Sequence, residues 1–276
     1  KLMKQIFLAS AILIAVMSVT FTSCKKTEPD TETQSATDNN ICETEFTKSM
    51  STVNGFAIKE NGIKSMMDRA NLRSGGGPTI TVDPADTLDG FPVTMTIDYG
   101  TAGIADSVDG KIRKGQVICL FYNSWHIVGA SVRVMLNNYS VNGITYACDS
   151  MRITHSAANA FTHQTFKGKC ISSDWNLQWE ASRTFTQTAG AGDLNPMNDV
   201  FSLTGSASGV NREGKPYTVN ITQPIVKRTS CSWIESGRMD LTPEGLAVRT
   251  VDFGNGNCDN KATLTINGNV FTFSMN

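Results

Sequence analysis

Apolar and polar residues alternate with a period of two through most of the chain after Thr79. Successive side chains of a β-strand point to opposite faces, so this alternation predicts strands with one buried and one solvated face. The segment WNLQWEASRTF, residues 175–185, shows it most clearly, and one arginine, Arg183, interrupts its apolar face. The apolar residues on that face are Trp175, Leu177, Trp179, Ala181 and Phe185.

Short polar turns join these segments. Asn142-Gly143 lies between two strand-like runs, and this dipeptide is typical of a tight β-hairpin. About a dozen strands follow one another in this way, without the alternation of strands and helices that a parallel sheet requires. We therefore expect residues 79–276 to form an all-β antiparallel domain, either a β-sandwich or a curled meander.

One short helix is expected before the sheet. Phe46, Met50 and Val53 recur at three- and four-residue spacing, which is the period of an α-helix. Asn40 and Glu43 match a capping box, and a glycine at position 55 would end the helix. We expect this helix and a glycine-rich linker to occupy residues 41–78.

The N-terminal segment has the pattern of a secretory signal peptide. A basic start precedes an apolar run from Ile6 to Val19, and at about 14 residues this run is shorter than the roughly 20 that span a bilayer. The residues FTS before Cys24 resemble the lipobox of bacterial lipoproteins, which implies cleavage before Cys24 and its acylation. Residues 1–23 are then a signal peptide, and the polar residues 24–40 are a disordered tether.

Six cysteines remain besides Cys24. An even number in an exported chain suggests disulfides, although the sequence leaves their pairing open. Cys231 and Cys258 are the pair that we favour, because both lie near the ends of predicted strands, and a bridge between them would stabilise the fold by about 3 kcal/mol. Cys119 lies in the apolar run VICLFY and is expected to be a buried free thiol.

The sequence offers no catalytic signature. No nucleophile elbow surrounds a serine, and His126, His155 and His163 lack the neighbours of a catalytic or metal-binding histidine. Asp98 and Asp252 lie in the related segments TIDYG and TVDFG, where an aspartate at a strand end is more typical of a turn than of a glycosidase. The loops around DSVDG and DFGNGNCDN lack EF-hand spacing. We expect no enzyme, no metal and no cofactor.

Aromatic residues provide the candidate ligand site. Trp125 and His126 lie at a predicted turn, where their side chains would be exposed to bind a ligand such as a glycan. The tryptophans at 175 and 179 share one strand face, for which packing in the core is favoured. The net charge of −1 gives no electrostatic basis for binding nucleic acid.

Several motifs together resemble a group of uncharacterised Bacteroidetes lipoproteins. They lie within residues 79–276 and read TIDYGT, DGKIRKG, LNNYSVNGI, SLTGSASGVNREGKPYTVNIT and DFGNGNCDNKATLTING. The resemblance implies export, a lipid anchor and a β-rich fold. It implies no activity, substrate or catalytic residue.

These features predict a lipid-anchored protein of the outer membrane, with the cell surface favoured over the periplasmic face. Its expected role is non-catalytic, as a surface module that binds a glycan or a protein. One alternative is a periplasm-facing carrier or envelope-assembly factor with an apolar pocket lined by the face of Trp175. Another alternative is a fimbrial or adhesive subunit.

Overall fold

Antiparallel strands form one continuous sheet in the computed structural model. The structure describes residues 30–57, 77–83, 90–106, 109–125, 127–191 and 195–275, and residues 31–276 make up one compact unit. The predicted signal peptide, Cys24, the first part of the tether, most of the linker and His126 lie outside the described residues. No helix among the described residues is long and apolar enough to cross a membrane.

The sheet contains 15 strands in the described part of the chain. The first eight are β1 (Thr79–Asp83), β2 (Val93–Asp98), β3 (Ile104–Ala105), β4 (Ile112–Phe121), β5 (Ser131–Val141), β6 (Ile144–Ala147), β7 (Ser150–Ala157) and β8 (Ala160–Ile171). The others are β9 (Asn176–Ala189), β10 (Val200–Val210), β11 (Pro216–Arg228), β12 (Ser236–Pro243), β13 (Arg249–Asn255), β14 (Lys261–Ile266) and β15 (Asn269–Ser274). A short 3₁₀ helix, Pro196–Asn198, precedes β10.

Strands adjacent in sequence are mostly adjacent in the sheet, which confirms the predicted all-β antiparallel fold. The order is β1-β2-β4-β5-β6-β8 and then β9 to β15 in sequence, while β3 pairs with β4 and β7 pairs with β5 and β8. The sequence predicted either a β-sandwich or a curled meander. Because all the strands belong to one sheet, the structure corresponds to the meander. The predicted hairpin joins β5 to β6, and Asn142 and Gly143 both have the positive φ that its turn requires.

The single helix, α1 (Gln34–Ala57), is longer than the sequence predicted. It begins seven residues before position 41, so the prediction of a disordered tether is wrong for residues 34–40, and it continues past the glycine at 55. The capping box is also wrong, because Asn40 and Glu43 lie inside the helix and are buried. At the true start, the carboxylate of Glu32 accepts a hydrogen bond from the backbone N–H of Ser35 at 2.6 Å.

Helix α1 fills the concave side of the curled sheet and forms part of the core. Cys42, Phe46 and Met50 are buried against the inward-facing residues of the strands. The ring of Phe46 stacks on Trp179, with centroids 5.3 Å apart, and contacts Tyr146 edge to face at 5.7 Å. The inner faces of the strands therefore pack against a helix.

Ion pairs join α1 and the residues just before it to strands and turns along most of the sheet. Arg183 of β9, which is fully buried, donates to both carboxylate oxygens of Glu43 at 2.9 and 2.6 Å. The arginine that interrupts the apolar face of β9 is therefore the partner of a helix carboxylate. Equivalent pairs of a carboxylate with an arginine are Glu45–Arg113 at 3.1 Å, Asp38–Arg212 at 2.8 Å and Glu32–Arg249 at 3.3 Å.

The disulfide between Cys231 and Cys258 is present, as predicted. It joins the segment after β11 to the loop between β13 and β14, and it closes a loop with a sequence separation of 27 residues. Cys119 is a buried free cysteine, also as predicted, and burial raises the pKa of its thiol to about 12.

Replacing Arg183 with leucine should destabilise the fold by about 3–5 kcal/mol, because it leaves the carboxylate of Glu43 buried without its partner. Urea unfolding would measure the change. The double variant Glu43→Leu/Arg183→Leu should recover part of this loss, since it removes both charges. Arg152→Leu is the matched control, because Arg152 is exposed on β7 and its loss should cost within about 0.5 kcal/mol. Equal costs for the two single arginine variants would contradict the prediction.

Candidate functional site

A cavity of about 130 Å³ lies between α1 and the inner face of strands β9, β10 and β11. The segment of residues 229–234 and Met275 border it on the side away from the sheet. Its lining is mostly apolar, and the apolar residues are Met50, Phe185, Phe201, Leu203, Ile225, Trp233, Ile234 and Met275. A partly enclosed apolar pocket of this kind is the usual form of a small-molecule site.

The register of the sheet explains the apolar wall. Leu203 of β10 lies opposite Phe185 of β9 on one side and opposite Ile225 of β11 on the other. Paired residues project to the same face, so the three side chains form one row across the strands. Phe201 lies two residues before Leu203 on the same face and extends the wall toward the start of β10.

The polar part of the lining includes two lysines and two carboxylates, which are Lys48, Lys227, Glu43 and Asp109. The ammonium of Lys227 donates to the backbone carbonyls of Cys231 and Ser232 at 3.2 and 3.0 Å. Burial, and then the nearby charge of Lys48, lower the pKa of Lys227 to about 8. Lys48 itself pairs with Asp109 at 2.8 Å. Among the described residues no carboxylate forms an ion pair with Lys227, and the more distant charges of Glu235 and Asp109 offset only part of the effect of burial on its pKa.

The position of the cavity differs from that of the apolar pocket predicted from the sequence. The face of Trp175 was expected to line it, but the helix covers most of that face, and Trp179 is fully buried under Phe46. The indole N–H of Trp179 donates to the side-chain oxygen of Asn39 at 3.0 Å. Trp175 lies under the guanidinium of Arg212, whose central carbon is 4.4 Å from the ring centroid. Only Phe185, at the end of this face, reaches the cavity.

Trp125 is not the exposed residue that the sequence predicted. Only 4% of it is accessible, and its ring stacks on Phe161 with centroids 5.4 Å apart. Its carbonyl oxygen lies 2.9 Å from Nδ1 of His155, which fixes the loop between β4 and β5 to β7. The predicted role of Trp125 as an exposed ligand contact is therefore wrong, because the ring folds inward. Its predicted partner, His126, is outside the described residues.

Burial of Trp125 leaves the next apolar residues of the loop at the surface. Ile127 and Val128 are 57% and 55% exposed. Tyr122 and Phe91 are also exposed, and they lie near each other in the sheet because Val93 of β2 pairs with Phe121 of β4. Adjacent exposed apolar side chains of this kind often mark a contact with another macromolecule.

The remaining candidates for chemistry have structural partners. The Nε2 atom of His163 lies 3.0 Å from Oγ of Ser49, and burial, followed by the charge of Arg183, lowers the pKa of this histidine to about 4. Asp98 and Asp252 each accept a hydrogen bond from the glycine two residues later, at 2.7 and 2.9 Å. The TIDYG and TVDFG segments therefore share this local hydrogen bond, although Asp98 ends strand β2 and Asp252 lies within β13.

The aspartates of the loop before β4 form ion pairs with lysine and arginine side chains of the protein. Asp109 accepts hydrogen bonds from Arg113 and Lys48, and these bonds lower the pKa of its carboxyl although burial acts in the opposite direction. Asp106 also pairs with Lys48, at 3.0 Å. No group of three or more possible metal ligands was found among the described residues.

Comparison with known proteins does not assign either site. No family model, curated protein or solved structure matches the chain. The chemistry follows from the residues themselves: the cavity offers apolar contact and a buried ammonium, and the loop between β4 and β5 offers aliphatic contact at the surface.

Replacing Trp125 with alanine should cost about 3–5 kcal/mol of folding free energy, because it removes a buried ring that packs on Phe161. The variant Ile127→Ser, in the same loop, should change stability by no more than about 0.5 kcal/mol, since that side chain is mainly in solvent. Thermal or urea unfolding would compare them. A Trp125→Ala protein as stable as Ile127→Ser would contradict the buried position of the indole.

Proposed function

We propose that this protein is a non-catalytic, lipid-anchored envelope protein that binds a small apolar molecule with an anionic group in the cavity between α1 and strands β9–β11. The observation that carries the proposal is the position of Lys227 beside the apolar wall of Phe201, Leu203 and Ile225. This role corresponds to a carrier with an apolar pocket. A glycan platform has less support, because the tryptophan expected at the surface is buried.

The volume of the cavity limits the size of the ligand. An engineered cavity of about 150 Å³ lined by Leu, Ile and Phe stays dry and binds benzene. The present cavity, at about 130 Å³, is therefore suited to a single ring or a short alkyl chain. A larger ligand would need to displace part of α1 or of the segment of residues 229–234.

The charge of the cavity selects the polar end of the ligand. A buried ammonium is stabilised by an anion far more than by two carbonyl groups, because ion pairs gain strength where water is excluded. A carboxylate is the simplest anion that Lys227 would hold. Since an adjacent negative charge raises the pKa of an ammonium, the ligand would also keep Lys227 protonated.

Hexanoate should bind the purified protein in isothermal titration calorimetry, and hexanol, which has the same alkyl chain without the charge, should bind at least tenfold more weakly. Lys227→Met should weaken hexanoate binding by about tenfold or more, and Leu203→Trp should abolish it by filling the cavity. Affinity should fall as the pH rises through about 8, the pKa of Lys227, because the ammonium then loses its proton.

Lys261→Met is the matched control, because Lys261 is exposed on β14, away from the cavity. It should leave hexanoate binding unchanged. Equal binding of hexanoate and hexanol, or an unchanged affinity in Lys227→Met, would exclude the proposed anion contact. Absence of any hexanoate binding would exclude the ligand class.

A second candidate function is binding of a protein partner through the loop between β4 and β5. The exposed side chains of Ile127 and Val128 favour it, because they present aliphatic surface to solvent close to the buried Trp125. Aliphatic contacts suit a protein surface better than a glycan, which is bound mainly by exposed aromatic rings and polar groups.

The proposed membrane location rests on the sequence around Cys24. Acyl chains on this residue would hold the protein at the outer membrane, with each buried methylene contributing about 0.8 kcal/mol. Cell-surface display would suit a protein partner for the β4–β5 loop. A periplasmic orientation would suit a carrier.

Cys24→Ala should move the protein from the membrane fraction to the soluble fraction, because it removes the acylated residue. Cys119→Ala, at a buried cysteine within β4, is the matched control and should stay with the membrane. Protease treatment of intact cells would then distinguish the two orientations, since only a surface-displayed protein would be cleaved. A Cys24→Ala protein that remained membrane-bound would contradict the anchor.

A further inference from the structure

Two buried cysteines face each other where helix α1 meets strand β8. The sulfur atoms of Cys42 and Cys170 are 2.9 Å apart, and neither residue is exposed to solvent. We propose that Cys42 and Cys170 form a second disulfide in the mature protein, and that this bond fastens the helix covalently to the sheet.

The surrounding contacts hold the two sulfur atoms close to bonding distance. A disulfide bond is about 2.05 Å long, so the atoms need to approach by less than about 1 Å. Phe46, one turn after Cys42, stacks on Trp179, and Asn39 on the preceding turn accepts a hydrogen bond from the same indole. The helix is therefore fixed on both sides of Cys42, and the pairing of Cys170 with Leu177 fixes the strand.

Besides Cys24, two other cysteines lie outside the Cys231–Cys258 disulfide, and they are less suited to this pairing. Cys119 is fully buried on β4, and burial alone raises the pKa of its thiol. Cys148 is only partly buried, in the turn between β6 and β7. Among the described residues, the free cysteines form no other sulfur–sulfur contact besides that of Cys42 with Cys170.

Formation of the bond is a two-electron oxidation. The thiolate of one cysteine attacks a disulfide of the oxidant, such as oxidised glutathione or a disulfide-bearing oxidase, and releases one thiol. The second thiolate then attacks the mixed disulfide, forms the Cys42–Cys170 bond and releases the second thiol. Two protons leave the cysteines, and the two electrons reduce the oxidant to two thiols.

Burial indicates when this oxidation occurs. Burial, and then the contact with Cys170, raise the pKa of Cys42, so little of its thiol is ionised in the folded protein. The oxidant also cannot reach a residue with no exposed surface. The bond therefore forms while α1 is still entering the sheet, and once formed it is protected from reductants by the same burial.

Peptide mapping by mass spectrometry would test the bond directly. The full chain is refolded with a glutathione redox buffer, so the test does not depend on export, and free thiols are alkylated under denaturing conditions without reduction. We expect a cross-linked peptide pair containing Cys42 and Cys170, beside the pair containing Cys231 and Cys258. Alkylated Cys42 and Cys170, with the second pair intact, would overturn the proposal.

Unfolding of the variants provides a second measurement. Cys42→Ala and Cys170→Ala should each lower Tm by at least about 5 °C, and the double variant should lower it no further, because either change alone breaks the same bond. Cys119→Ala is the control for loss of a buried thiol and should leave the Cys42–Cys170 peptide intact. Additive effects of the two single variants would show independent thiols and overturn the proposal.

Discussion

The ion pair between Glu43 and Arg183 fixes the central element of the fold. A charged pair in a low-dielectric interior is stable only when both partners meet in good geometry, so it defines one position of the helix along the sheet. Apolar contacts such as Phe46 on Trp179 contribute more of the burial but are less directional. The sheet needs the helix as well, because the inner faces of its strands would otherwise surround an empty space.

The strands could be predicted from the sequence because their pattern is local. Alternation over a few residues defines a strand, and Asn142-Gly143 defines a turn, whatever the rest of the chain does. The start of the helix could not be predicted in this way. Residues 34–40 are polar and resemble a tether, and they fold because Asp38, Ser35 and Asn39 meet partners far along the chain, which are Arg212, Asn211 and Trp179. Arg183, alone on an apolar face, was the one visible sign of such a partner.

The cavity could not be predicted for a related reason. Three strands form one wall of the cavity, and the helix forms the opposite side. Lys227 belongs to β11, whose sequence alternates like that of the other strands and gives no sign of a binding site. Trp125 shows the same limit, because a tryptophan beside polar residues at a turn has the composition of a surface site. The indole of Trp125 turns inward because it can stack on Phe161, which lies 36 residues later in the sequence.

The central position of α1 has a consequence for the order in which the chain can fold. Synthesis releases the helix first, yet Arg183 follows Glu43 by 140 residues and Arg249 follows Glu32 by 217. Contacts between residues so distant in sequence form slowly, since the loop-closure entropy is lost before the contacts form. The helical segment therefore remains without its partners until most of the sheet has been made.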